Sequence, residues 1–185
     1  SGSKIFDWTV PKEWVIKNAY LIDPNGNKIL DFKNNNLAIV NYSSPVDEYI
    51  ELEDLDKNLH SIPQHPDFTP YVTSYYAEYW GFCLPHRVRQ ALKPGKYHAK
   101  IESSFIEGFV EYGYAYLKGN SDQNDCDRKL ILLSSYLCHP SLANNELSGP
   151  IVLAALYERI SRWENRSFDY LFVINPETIG SICFL

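Results

Sequence analysis

The sequence predicts an α/β protein in two parts, a small aromatic α+β module followed by a unit built on a mostly parallel sheet. Three observations carry that expectation. Residues 129–136 and 168–175 are nearly continuous apolar runs, the pattern of strands buried on both faces. Residues 148–163 lie between them and carry an apolar stripe at helical spacing. The order is therefore strand–loop–helix–strand, which places the two strands parallel with a right-handed crossover. Residues 9–104, in contrast, break into short pieces, with Pro63, Pro66 and Pro70 preventing any long helix there.

Residues 18–32 read as a β-hairpin turning at Pro24-Asn25-Gly26, because Asn-Gly tolerates the positive φ that tight turns need. Residues 37–42 are expected to be a strand. Residues 50–59 are expected to be a short helix, with Leu52, Leu55 and Leu59 on one face and acids crowding its first turn. A second short helix is expected over 85–92, stopped by Pro94-Gly95, and a strand over 97–103. The module's core is expected around Trp8, Trp14, Tyr75 and Trp80. The cluster Tyr71, Tyr75, Tyr76, Tyr79, Trp80 and Phe82 reads as core in preference to a sugar-stacking face.

From about Ile106 the elements lengthen. Residues 109–117 are expected to be a strand, and 119–128 a polar turn rich in Asn, Asp and Ser. In the helix at 148–163, Ser148 is expected to cap the N-terminus and Pro150 to occupy the first turn. Val152, Leu156, Ile160 and Trp163 form its apolar stripe. Pro176 ends the second buried strand, and a helix is expected to begin near Thr178.

Composition narrows the function classes. The 185 residues carry 17 Lys+Arg against 23 Asp+Glu, a net charge of −6, which argues against a nucleic-acid surface built from clustered bases. No apolar run approaches the roughly 20 residues of a membrane span. None of the four cysteines forms a CxxC pair and nothing resembles a signal peptide, so a cytoplasmic protein with reduced thiols is expected. The chain has no Met, opens Ser1-Gly2-Ser3-Lys4 and stops on Ile182-Cys183-Phe184-Leu185, which reads as a segment of a longer protein.

The expected topology locates a site. The loop at 137–147 and the turn at Pro176-Glu177 both follow C-terminal ends of parallel strands, the edge where open α/β sheets bind ligands. His139, Asn144, Asn145, Glu146 and Glu177 should therefore converge. His139 reads equally as a metal ligand or as a loop-capping side chain. Glu177 reads as a general base or as a dipole-favoured first-turn residue. A Cys138–His139 nucleophile pair is disfavoured, because neighbours in an extended segment point to opposite sides.

Four blocks in order, Tyr116-Leu-Lys-Gly119, Leu130-Ile-Leu-Leu-Ser-Ser-Tyr-Leu-Cys-His-Pro140, Ala143-Asn-Asn-Glu-Leu-Ser-Gly149 and Pro176-Glu-Thr-Ile-Gly-Ser181, resemble a bacterial family with a zinc-aminopeptidase-like domain, often near surface-polysaccharide genes. Phe6-Asp-Trp-Thr-Val-Pro-Lys-Glu-Trp14, Pro70-Tyr-Val-Thr-Ser-Tyr-Tyr76 and Trp80-Gly-Phe-Cys83 resemble that family's inserted accessory module. The resemblance implies a partial zinc-aminopeptidase-like fold. Residues 1–8 would end a preceding peptidase segment, 9–104 would be the insert, and 105–185 would open the aminopeptidase-like domain. It implies Glu177 as the general base. It also places Tyr136-Leu137-Cys138 where the family has His-x-Asp, Asn145 at a bridging Asp, and Thr178 at a ligand Glu. His139 and Glu146, with Asn145, then form a shifted metal-ligand set for one or two zinc ions. The implied substrates are small peptides, aminoacyl groups or amidated sugars, and the implied partner is the remainder of the chain. A metallohydrolase and a non-catalytic peptide or amino-sugar binding module both fit this departure from the family pattern.

Overall fold

The computed structural model describes residues 1–75, 77–121 and 128–184. Tyr76, Cys126 and most of the polar turn expected at 119–128 lie outside the described residues. The chain divides into two units, one comprising Ser3–Val10 and Phe109–Leu185, the other Pro11–Gly108. In the first of these, β1 (Lys4–Ile5) pairs antiparallel with β2 (Trp8–Thr9).

The Pro11–Gly108 unit is an antiparallel sheet of four strands. Strands β3 (Glu13–Ile22) and β4 (Lys28–Asp31) form the expected hairpin. Gly26 takes φ +87° in its turn, and the Asp23 carboxylate accepts the backbone N–H of Asn25 and Asn27 at 2.9 and 2.8 Å. Strand β5 (Val46–Glu51) leads into α1 (Leu52–Leu55) and a 3-10 turn, Asp56–Asn58. The helix expected at 50–59 is thus shorter, because Ile50 and Glu51 pair with the central strand described below. The expected strand at 37–42 is replaced by a 3-10 turn, Asn36–Ala38, whose start is fixed by Asn35 Oδ1 accepting Leu37 N–H at 3.0 Å. Strands β6 (Leu59–His60) and β7 (Phe82–Cys83) form a short parallel pair, followed by α2 (His86–Ala91).

Strand β8 (Lys96–Ile106) completes the sheet in the order β4-β3-β8-β5. Its Tyr97, Ala99 and Ile101 alternate inward with Ala19 and Leu21 of β3, and Ile39, Leu55, Leu59, Phe82 and Leu84 close the core. Trp14 and Trp80 pack against this core, but Tyr75 is 41% exposed and Trp8 belongs to the other unit. The core is aliphatic strand alternation with a few aromatics, not the aromatic cluster the sequence suggested.

The Phe109–Leu185 unit holds β9 (Gly113–Leu117), β10 (Leu130–Tyr136), α3 (Ala143–Ser161), β11 (Asp169–Asn175) and α4 (Ile179–Phe184). Strands β10 and β11 are adjacent and parallel, in register from Leu130↔Asp169 to Tyr136↔Asn175. The sheet order is β10-β11-β9, and β9 runs antiparallel to β11. The expectation of a mostly parallel sheet is therefore corrected: this sheet is mixed, and among the described residues most strand pairs are antiparallel. The reason lies in the connection. Leu117 and Leu130 both stand at the end of the sheet where β11 begins. A parallel β9 would require a return across the sheet's length.

Two local corrections matter for the site. The helix expected to start at Ser148 starts at Ala143, so Glu146 lies in its first turn and Pro150 inside it. The inward stripe is buried Leu153 and Ile160 with half-buried Gly149 and Leu156, while Val152 is 57% exposed. Gly149 sets this phase. A Cβ there would fall 2.1 Å from Ser135 Oγ and 3.2 Å from Ser135 Cβ, so only glycine lets α3 approach β10 this closely. Strand β10 is apolar but not buried on both faces. Ile131 and Leu133 face α3, whereas Leu130 and Leu132 are 54% and 45% exposed.

Candidate functional site

The site is built by the parallel register. Tyr136 and Asn175 are partners at the last rung, so the residues that follow each strand leave the sheet side by side. Leu137 adds one more bond, its N–H donating to the Asn175 carbonyl at 3.1 Å. Beyond it, Cys138 and His139 lead through Ser141, at φ +62°, into α3. On the other side, Pro176 and Glu177 lead through Thr178, at φ +55°, into α4. A β-branched residue in the left-handed region is held there by its surroundings, and such backbone strain concentrates at functional sites.

The His139 imidazole lies between two carboxylates. Its Nδ1 is 2.5 Å from Glu146 Oε1 and its Nε2 is 3.1 Å from Glu177 Oε2. Glu146 Oε2 accepts the Cys138 backbone N–H, and the Glu177 N–H donates to Cys138 Sγ at 3.2 Å. The Tyr136 ring meets the imidazole edge-on, with centroids 5.8 Å apart. The Glu146 side chain is 6% exposed, His139 15% and Glu177 48%. The buried carboxylate is thus anchored by bonds while the second one reaches solvent.

Burial by itself pushes the Glu146 carboxyl up. The backbone N–H groups of His139 and Cys138, together with the imidazole, outweigh that effect and hold it below the usual carboxylate range. Cys138 moves the other way: burial raises its thiol, and the Glu146 and Glu177 carboxylates add to the rise against the opposing Glu177 N–H.

Of the five residues expected to converge, His139, Glu146 and Glu177 come together, whereas Asn144 is exposed on the first turn of α3. Asn145 does not join them: it is exposed on α3 and bonds to none of the three among the described residues. The cause is helix phase. Consecutive helical residues point about 100° apart, so the earlier helix start that turns Glu146 toward β10 turns Asn145 away. Cys138 also departs from expectation. Its sulfur lies 3.7 Å from His139 Nδ1, because the chain leaves the strand at Leu137 and strict alternation ends there. A cysteine nucleophile is still disfavoured, since Nδ1 is engaged by Glu146 and two carboxylates oppose a thiolate.

Donor atoms of Cys138, His139 and Glu146 lie within 4.8 Å of one another. An imidazole and a well-anchored carboxylate are ordinary zinc donors, so the residues present fit a metal ion. The proton that now joins Nδ1 to Glu146 is what such an ion would replace. The sequence reading missed Cys138 as a member of this group. The available signal was its place at the Asp of the His-x-Asp pattern that the resemblance above implies.

Comparison with known proteins agrees with the resemblance read from the sequence. Residues 13–104 match a family model described as a domain of unknown function (DUF2172). The whole chain is 43% identical, over 185 residues, to a Clostridium acetobutylicum protein named as a candidate polysaccharide biosynthesis protein with an aminopeptidase-like domain. It covers 41% of that protein. A crystal structure of a candidate peptidase from Clostridium acetobutylicum superposes with a TM-score of 0.88 at 43% identity, over all of this chain and 42% of the other. The chain therefore spans about two fifths of the length of these relatives. Among the described residues, no helix is long and apolar enough to cross a membrane.

Proposed function

We propose that this chain, a homologue of proteins with an aminopeptidase-like domain, supplies part of the active site of a zinc-dependent hydrolase acting on peptide or amide bonds. The observation that carries the reading is the imidazole of His139 held between Glu146 and Glu177 at 2.5 and 3.1 Å. His139 and Glu146 would hold the metal. Zinc, when bound, supplies Lewis-acid polarisation of a scissile carbonyl. The protein's own residues do the rest. Glu146 is locked by the Cys138 N–H, and its other carboxylate oxygen faces Nδ1 of the imidazole. Glu177, about half exposed, has one carboxylate oxygen on His139 and the other left to take a proton from an attacking water. The substrates proposed are small peptides, aminoacyl groups or amidated sugars, the last by extension from the relative's name.

A second reading, a non-catalytic peptide or amino-sugar binding module, draws support from Asn145. It is neutral and turned away where the family resemblance implies an anionic bridge. One experiment separates the two. Wild type, Glu177→Gln and His139→Ala are assayed in the full protein against aminoacyl and amidated amino-sugar substrates, with metal measured on each. The hydrolase reading expects activity in wild type only, with metal content kept in Glu177→Gln and reduced in His139→Ala. A wild type that binds no zinc and hydrolyses nothing on the panel supports the binding module.

A further inference from the structure

We infer that Cys138 is a ligand of the same metal, making the site a Cys–His–Glu centre. The inference rests on the metal reading above and adds a donor which that reading does not require. Three observations carry it.

The first is spacing. Around a tetrahedral zinc with Zn–S about 2.3 Å and Zn–N about 2.0 Å, sulfur and nitrogen stand about 3.5 Å apart. Cys138 Sγ is already 3.7 Å from His139 Nδ1, and the whole donor group fits within 4.8 Å. The His139–Glu146 contact, now a 2.5 Å hydrogen bond, has to open to admit the ion.

The second is the far side of the imidazole. Nε2 faces Glu177 Oε2 at 3.1 Å, which leaves Nδ1, in contact with Glu146 and 3.7 Å from the sulfur against 4.0 Å for Nε2, as the metal-facing nitrogen. A carboxylate on the nitrogen remote from the metal is the usual outer partner of a ligating histidine, and in Glu177→Gln the amide oxygen still accepts the Nε2–H bond, which is why metal content is expected to be kept there.

The third is the support of the sulfur itself. The Glu177 N–H donates to Sγ at 3.2 Å, and the Cys138 N–H is tied to the Glu146 carboxylate. Backbone donors aimed at sulfur support a metal-bound thiolate just as outer-shell partners support other ligands. The consequence is chemical. A thiolate supplies the negative charge that neutral Asn145 does not, and it selects zinc over magnesium, calcium or manganese.

The test is cobalt titration of the full protein, read by absorption. The expected result is one equivalent of Co²⁺ bound with a near-ultraviolet thiolate-to-cobalt charge-transfer band. The band should persist in Cys83→Ser, Cys126→Ser and Cys183→Ser and vanish in Cys138→Ser. Cys138→Asp should still bind Co²⁺, without the band, which also shows that the variant folds. Cys138→Ser should weaken zinc binding by more than the roughly 10- to 100-fold that loss of an outer-shell partner costs. In wild type, zinc should protect Cys138 from iodoacetamide, read by mass spectrometry of its peptide. One equivalent of cobalt bound without the band, and with Cys138 alkylated at an unchanged rate, overturns the thiolate ligand while leaving the His139–Glu146 reading intact. No metal uptake by wild type overturns both.

Discussion

Replacing Gly149 with alanine tests how helix packing sets the site. The new Cβ would lie 2.1 Å from Ser135 Oγ and 3.2 Å from Ser135 Cβ. Rotation about the Ser135 side-chain torsion relieves the first contact. It cannot relieve the second, which demands that α3 and β10 separate by a few tenths of an ångström. Overpacking of this kind costs about 1–3 kcal/mol. Against it stands the helix-propensity gain of Gly→Ala, about 0.8–1.0 kcal/mol. The net expectation is a loss of about 1 kcal/mol, measured by urea denaturation of the full protein. Because Glu146 lies one turn before Gly149 on α3, zinc affinity should fall as well. Truncating the opposing residue should reverse the effect in steps. Ser135→Ala removes only Oγ and should rescue Gly149→Ala weakly, whereas Ser135→Gly removes both atoms and should show a coupling of about 1 kcal/mol in a double-mutant cycle. A Gly149→Ala variant more stable than wild type, with no coupling to Ser135, would refute the packing argument.

Further expectations follow from individual contacts. Glu177→Gln should lower hydrolysis on the order of 10²-fold or more, the worth of a general base, with zinc content measured by emission spectrometry unchanged. Tyr97→Phe removes a buried hydroxyl that donates to the Lys93 carbonyl at 2.8 Å and accepts the Lys93 N–H at 3.0 Å. It should cost about 1–2 kcal/mol in a denaturation experiment. Asp169 is held below the usual carboxylate range by the Tyr116 hydroxyl, then by the Gly119 N–H and Arg128, against opposing desolvation. Its folded pKa is depressed, so its contribution is present above the unfolded value near 3.9 and is lost as pH falls through the folded value. Asp169→Asn should therefore flatten the acid side of the stability–pH profile, and an unchanged profile would contradict the assignment.

The parallel pairing of β10 and β11 was legible because two apolar runs flanking a helical stripe admit few other arrangements. The direction of β9 was not, since nothing in Gly113–Leu117 itself states which way it meets its neighbour. The start of α3 was misplaced for a physical reason. Ser148-Gly149-Pro150 offers the local signals of a helix start, but bonds from the Glu146 side chain to Cys138 and His139 hold an earlier turn in helical form. The error carried into the site. His139 and Glu177 could be placed from loop position alone, whereas choosing between Asn145 and Glu146 required the helix phase. Cys138 was set aside on an alternation rule that holds only within a strand, and the strand ends two residues before it.

Whether this cluster binds a metal is read from an anomalous-difference map. Crystals of the full protein grown with zinc, with data collected at the zinc edge, should show a peak within bonding distance of His139 Nδ1 and the Glu146 carboxylate. Glu177 should remain on the opposite ring nitrogen. No peak at this position in crystals that hold zinc elsewhere, or a peak ligated by Glu177 with His139 turned away, would contradict the account.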